Sequence, residues 1–349
     1  MNDKIIPVYI LTGFLGSGKT TLLNRILEDA QANGLKPAVL MNEVGDVNVE
    51  GQLNETDIPM SEMLGGCICC SIRGDLGMEL VRLTQEYQPD VIWIESTGIA
   101  QPLEIMDGVT EASLYAKLEL KNIITLVDGR HLLDKLRIGS GKTFKLMKEQ
   151  IRAANILILN KIDLVREEDL NELIAALQDW NPLALIIQTT KSELDPSLLY
   201  VSNDNSRTLQ LIRENNNNHK HTEECTQDHD HNHNCNHDHN HANDHVHDGR
   251  NAPSLHDHVN VVTYYFKGKV DSVAFEAFLK QLPDEIYRAK GIVAFHDTAS
   301  QFLFQYAYRE IDFLRITPQK TVNDVAVFIG EGFSQSELIT KLEQLDIVK

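Results

Sequence analysis

Residues 6–11, Ile-Pro-Val-Tyr-Ile-Leu, lead into Gly13-Phe14-Leu15-Gly16-Ser17-Gly18-Lys19-Thr20, and an amphipathic stretch follows. This passage restricts the fold more than any other in the chain, because it matches the pattern G-x-x-x-x-G-K-[ST] letter for letter. Glycines let the backbone curl until several N–H groups point inward at phosphate oxygens, and a helix opening there adds its positive end. Lys19 then reaches the β and γ phosphates, and Thr20 ligates Mg²⁺. The bland alternative is a glycine-rich turn without a ligand, but a strand before the loop and a helix after it argue for a phosphate cradle.

The surrounding pattern agrees. Short apolar runs at 6–11, 38–41, 91–95, 123–127, 156–159 and 183–187 read as strands. Between them lie helical patterns, such as Leu76, Leu80, Leu83 and Tyr87 spaced to share one face. Near-continuous apolar strands alternating with helices imply an α/β fold: a parallel sheet with helices on both faces, of the P-loop NTPase class. From about residue 203 to 258 the chain turns to Asn, His, Asp and Glu, and this stretch holds 12 of the 14 histidines. Such a composition buries too little apolar surface to offset its ordering entropy, so it reads as a flexible linker. Strand patterns return at 261–266, 292–295, 302–308 and 325–329. Phe275, Phe278, Leu279 and Leu282 form a helical face, and a last helix starts near Ser334 or Ser336 to bury Leu338, Leu342 and Leu345. The expected organisation is a nucleotide-binding domain over 1–202, a His-rich linker over 203–258 and a small α+β domain over 259–349.

Asn160-Lys161-Ile162-Asp163 follows the fifth strand candidate, at the carboxyl end where α/β sheets bind ligands. The Asp163 carboxylate can accept from the N1–H and the exocyclic amine of guanine, a donor pair that adenine lacks on that edge. Asn160 would bond the other edge of the purine, with Lys161 packed over the ring. The pattern therefore selects guanine and argues against a P-loop kinase using ATP, although an N-x-x-D turn capping a helix remains the plain reading. In Val91-Ile92-Trp93-Ile94-Glu95-Ser96-Thr97-Gly98 an apolar strand ends in a carboxylate. Glu95 can hold a magnesium-bound water and the Gly98 N–H can sense the γ-phosphate. Lys19, Thr20 and Glu95 are thus the catalytic candidates, and no residue declares itself as the one that positions the attacking water.

Gly65-Gly66-Cys67-Ile68-Cys69-Cys70 separates this chain from a generic nucleotide hydrolase. Thiolates are soft ligands that favour Zn²⁺ and Cu(I). Three thiols in four positions do not easily meet one tetrahedral ion, so further ligands are expected, and Glu43 and Asp46 after the second strand candidate supply carboxylates. Buried apolar cysteines and a redox sensor are the alternatives. In the linker, His229, His231, His233, His237, His239 and His241 stand among others interleaved with Asn and Asp, a composition suited to metal capture, or simply a solvated polar tract. The five cysteines, three of them clustered, do not read as a disulfide scaffold, so a reducing compartment is expected, the cytoplasm by default. The net charge of −19 argues against a general nucleic-acid or anionic-membrane binder. No apolar run reaches the roughly 18 residues a membrane span needs.

Taken together these motifs resemble the CobW-like (CobW/HypB/UreG-type) P-loop GTPases, metallochaperones close to the metal-insertion proteins for hydrogenase and urease. Residues 13–21, including Thr21, residues 42–46, 66–70, 95–98 and 160–163 correspond in order to the family's motifs. Arg288-Ala289-Lys290-Gly291 and Val327-Phe328-Ile329-Gly330 resemble its C-terminal domain. Val44 departs from the Phe that often follows the Asn-Glu pair. The resemblance implies GTP hydrolysis with Mg²⁺, tied to delivery of metal to a client metalloprotein docking on the C-terminal domain. Cys67, Cys69 and Cys70 would bind the metal, with Asp46 and Glu43 as acidic switch positions. Zinc is the expected metal. Cobalt for cobalamin synthesis, iron or cobalt for nitrile hydratase, or a zinc buffer with a vestigial GTPase are the rival readings, and a homodimer is among the assemblies the sequence allows.

Overall fold

The computed structural model describes residues 4–42, 60–62, 72–98, 100–200, 259–307, 309–318 and 321–347, all within one compact unit. Its first half is a seven-stranded sheet in the order β3-β2-β4-β1-β5-β6-β7. The strands are β1 (Ile6–Gly13), β2 (Pro37–Asn42), β3 (Met60–Glu62), β4 (Val91–Ser96), β5 (Leu118–Asp128), β6 (Ile156–Asn160) and β7 (Leu185–Gln188). Every pairing is parallel, so all carboxyl ends lie along one edge. The helices are α1 (Lys19–Ala32), α2 (Ile72–Tyr87), α3 (Pro102–Ser113), α4 (Gly129–Ile138), α5 (Lys142–Ala153) and α6 (Glu167–Trp180). The uninterrupted burial of β4 and β6 is what a sheet covered on both faces demands.

Most apolar runs became strands, with informative differences. Strand β3 carries no apolar run and pairs through Met60, Ser61 and Glu62 beside β2. The expected strand at 183–187 starts two residues later. Leu183 is exposed, while the Asn181 carboxamide donates to the carbonyls of Ile151, Arg152 and Ala154 and accepts from Ala184 N, holding the chain short of the sheet. In α2, Leu76, Leu80 and Leu83 are buried, whereas Tyr87 faces out.

The second half is a five-stranded antiparallel sheet in the order β11-β10-β9-β12-β8. Its strands are β8 (Val259–Tyr265), β9 (Ile286–Ala294), β10 (Gln301–Ala307), β11 (Glu310–Ile316) and β12 (Val325–Glu331), with helices α7 (Ser272–Lys280) and α8 (Gln335–Ile347). The sequence reading missed β11, an edge strand whose Glu310, Asp312 and Arg315 hide its alternation. Ser334 proves to be the cap of α8, accepting from Glu337 N. One sheet face packs on α7 and α8 around Phe275, Phe304 and Phe328.

The other face joins the first half. Val259, Ile292, Val325, Val327 and Ile329 share a core with Leu76, Leu80, Ile105 and Met106. Each such side chain contributes about 1.5–3 kcal/mol by burial. The Arg288–Asp107 pair (2.6 Å) and the Lys290–Glu111 pair (3.0 Å) lie at the margin of this contact. Arg288 is 45% exposed, and partly solvated pairs of this kind contribute about 0–1 kcal/mol. Apolar burial therefore holds the two sheets together, and the ion pairs add little to it. Tyr265 adds a directional contact: its hydroxyl accepts from Leu118 N (2.7 Å) and faces the carbonyls of Leu118 (2.7 Å) and Ala116 (3.1 Å). Desolvation pushes this phenol above its ordinary pKa, so it stays neutral. Among the described residues no helix is long and apolar enough to cross a membrane. Tyr265→Phe should cost about 0.5–1.5 kcal/mol by removing the hydroxyl's bonds, since Leu118 N keeps its bond to Ala116 O. Urea unfolding measures it, and an unchanged midpoint would contradict the assigned role.

Candidate functional site

The expected phosphate cradle forms where β1 passes into α1. Gly13, Gly16 and Gly18 take φ of +136°, +76° and +108°, backbone conformations that favour glycine. At Gly18 the reason is also spatial, since a Cβ there would lie 2.6 Å from Asn160 Nδ2 and 2.9 Å from Ser192 Oγ. Lys19 is buried, and its ammonium donates to the carbonyl oxygens of Gly13 (2.9 Å) and Phe14 (3.5 Å). Held there, it closes the loop on itself and sits beside the space that the loop encircles. Ser17 is buried, with its hydroxyl unpartnered among the described residues, while Thr21 faces solvent.

Strand β4 lies next to β1 with Glu95 in register with Leu11, which brings the acidic strand end to the loop. Thr20 Oγ1 donates to Glu95 Oε1 at 3.1 Å, and Glu95 is 1% exposed. A hydroxyl and a carboxylate at this separation are hard oxygen donors of the type that holds Mg²⁺. Gly98 is pressed against the loop tip: a Cβ on it would fall 2.7 Å from Leu15 N. Only a bare backbone fits so close.

At the end of β6 the Asn160 side chain turns inward. Its Nδ2 donates to Ser17 O (2.8 Å) and Ser192 Oγ (3.0 Å), and its Oδ1 accepts from Ser192 N (2.9 Å) and Thr189 Oγ1 (3.1 Å). Asn160 thus ties the phosphate loop to the segment after β7, with both amide hydrogens given to chain acceptors. Lys161 adopts a left-handed φ of +60°, and its ammonium pairs with Asp128 Oδ2 at 2.7 Å, while Asp128 Oδ1 caps α4 by accepting from His131 N. Asp163 sits in a single 3₁₀ turn, Ile162–Leu164, with its carboxylate exposed.

Sequence reasoning missed two groups. Thr189 and Ser192 complete the Asn160 anchor; Lys191 and Ser192 both have positive φ, a strain that four brief letters after a strand do not announce. Inside the sheet, Thr12 and Thr125 meet at 2.9 Å, Thr125 Oγ1 donates to Gln150 O (3.0 Å), and Gln150 Nε2 donates to Gly98 O (3.2 Å) and Ala100 O (3.3 Å). Polar letters within apolar runs were the available signal. Glu43, Asp46, Cys67, Cys69, Cys70 and His229, His231, His233, His237, His239 and His241 lie outside the described residues. Among the described residues no group of three His, Cys, Asp or Glu could hold a metal ion.

Residues 7–188 match the family model described as CobW/HypB/UreG, nucleotide-binding domain, and residues 259–346 match that of the cobalamin synthesis protein cobW C-terminal domain. A Schizosaccharomyces pombe protein named zinc-regulated GTPase metalloprotein activator 1 is 34% identical over 334 residues, covering 86% of this chain and 74% of its own length. The Dictyostelium discoideum protein of that name is 35% identical over 222 residues, 54% of this chain, and the chain spans only 46% of that relative. The zinc chaperone YjiA of Escherichia coli is 34% identical over 206 residues, 57% of this chain and 62% of its own.

Asn160→Ala should leave Ser17 O and Ser192 N unpaired in the interior and cost about 1–3 kcal/mol. Thermal unfolding checks the loss, and full stability in this variant would remove Asn160 as the anchor.

Proposed function

The chain belongs to the CobW/HypB/UreG family, and on that premise we propose that it is a GTP-hydrolysing metallochaperone that loads zinc and passes it to a client metalloprotein. The observation that carries the GTPase half is the convergence of Lys19, the Thr20–Glu95 pair and the Asn160 anchor at one sheet edge. Relatives named as zinc chaperones and a zinc-regulated activator support the metal half, together with the soft thiolates of the C-x-C-C motif.

On binding GTP, Lys19 exchanges the carbonyls of Gly13 and Phe14 for phosphate oxygens. The loop N–H groups and the amino end of α1 meet the remaining charge. Thr20 and Glu95 are the residues that would hold Mg²⁺, directly or through water, and the ion would supply positive charge against the phosphates. Asp163, exposed and so available to a ligand, accepts from guanine N1–H and the exocyclic amine. Asn160 acts from inside, keeping the loop and the base-binding turn in fixed relation. Zinc is cargo: Cys67, Cys69 and Cys70 bind it as thiolates, with Asp46 and Glu43 joining them in the GTP-bound form. Hydrolysis then weakens the hold. The histidine tract gathers metal for the site, and a client docks on the C-terminal domain. Free thiolates suit a reducing compartment such as the cytoplasm.

Reciprocity follows: if GTP tightens zinc binding, zinc tightens GTP binding by the same factor. Equal GTP affinity with and without zinc removes the mechanism. Turnover measured with Zn²⁺, Co²⁺, Ni²⁺ or no metal should be stimulated by zinc in the wild type and not in Cys69→Ala. A mere zinc buffer instead loses most metal capacity when residues 210–250 are deleted, while its GTP turnover ignores metal. Lys19→Ala should lower turnover by about 100-fold or more, the order expected for losing a donor to developing charge. Near-normal turnover in that variant would exclude this loop as the reaction site.

A further inference from the structure

We propose that Gln150 is a positioning residue that sets the preference of the site for GTP over GDP, an inference that rests on the guanine-nucleotide reading above. Gln150 is on α5, contributes nothing to the opening of the site, and is 1% exposed. Placing a primary amide there carries a desolvation cost, yet an apolar side chain would fill the same space between α5 and the sheet. What the amide does is specific. Its single nitrogen donates to the carbonyls of Gly98 and Ala100, the two ends of the turn that leaves β4 and leads to α3. Ala100 N also donates to Thr97 O (3.1 Å), closing that turn from the other side.

The turn is the part of the site nearest the tip of the phosphate loop, with Gly98 against Leu15. A γ-phosphate adds charge next to the loop that a β-phosphate does not, and the N–H of Gly98 can meet it only if the turn stays seated. Gln150 is itself held by the loop's own strand. Thr12, immediately before Gly13, contacts Thr125, and Thr125 donates to the main-chain carbonyl of Gln150, fixing this point of α5 rather than the amide itself; Thr12 is 0% and Thr125 1% exposed. The polar string Thr12–Thr125–Gln150–Gly98 therefore runs beneath the site from the phosphate loop to the opposing turn, without touching solvent. Such a string fixes the spacing between the two walls that would enclose the γ-phosphate, and interior hydrogen bonds are strengthened by their low-dielectric surroundings. The Thr20–Glu95 contact and the Asn160 contacts to Ser17, Thr189 and Ser192 involve none of these four residues.

Gln150→Met keeps length and volume and removes both donated bonds. The expected result is a fall of about tenfold in GTP affinity, the effect of one to two net hydrogen bonds, with GDP affinity changed by less than about twofold. Gln150→Glu supplies a pH readout: its carboxylate repels the two carbonyls, and its protonated form can donate to one, so the GTP-to-GDP ratio relative to wild type should recover as pH falls. Thr125→Val, which keeps the fold's shape, should lower the same ratio by about threefold and decides the matter if Gln150→Met does not fold. Parallel loss of GTP and GDP affinity in folded variants, or no change in either, overturns the role. Failure of the wild type to bind either guanine nucleotide would instead defeat the guanine reading, and this one with it.

Discussion

A loop that offers its N–H groups to an anion cannot also spend them on the fold, so something outside the loop must hold it in shape. Here that holding falls to the Asn160 carboxamide. It reaches from the end of β6 to the carbonyl of Ser17, and its oxygen fixes Ser192 and Thr189 beyond β7. Because the bond uses a loop carbonyl rather than a loop N–H, it stabilises the curl without occupying the donors. Gly18 has no side chain for the same reason: a Cβ would stand where the amide comes in. One side chain thus links the phosphate loop, the turn after Asn160 and the segment after β7 along one sheet edge.

How much of this was legible depended on whether a function sits in consecutive letters. The phosphate loop, the acid at the end of β4 and the Asn160–Asp163 turn are contiguous patterns attached to apolar strands, and each lies at the carboxyl edge that the parallel order requires. Gln150 and Ser192 come from elements far apart in sequence and meet the site only through the crossover order of the sheet. Thr12 and Thr125 become partners because β1 and β5 are neighbours. Strand β3 was hidden since its three residues pair at a sheet margin, and β11 because edge strands carry charge. Asn160 also braces the loop, a role that depends on the direction of its amide and that the four-letter pattern does not disclose.

The cysteine and histidine motifs behave differently. Their chemistry is intrinsic to thiolate and imidazole and needs no fold to be read, but their selectivity does. Soft ligands bind several late transition metals, and the choice among them depends on geometry and supply. That is why family membership adds to the cysteine motif something that spacing alone does not provide.

The junction between the two sheets bears on how nucleotide state travels. Helix α3 starts two residues after Ala100 and ends against Asn323, whose amide donates to Ser113 O and whose N–H donates to Leu114 O. The side toward β9 carries Asp107 and Glu111, which pair with Arg288 and Lys290. Pulling the antiparallel sheet off the first half would re-expose five core aliphatics at about 1.5–3 kcal/mol each. Coupling free energies between ligand sites are typically about 1–3 kcal/mol in total. A change of that size at the Gly98–Ala100 turn is therefore too weak to part the two sheets.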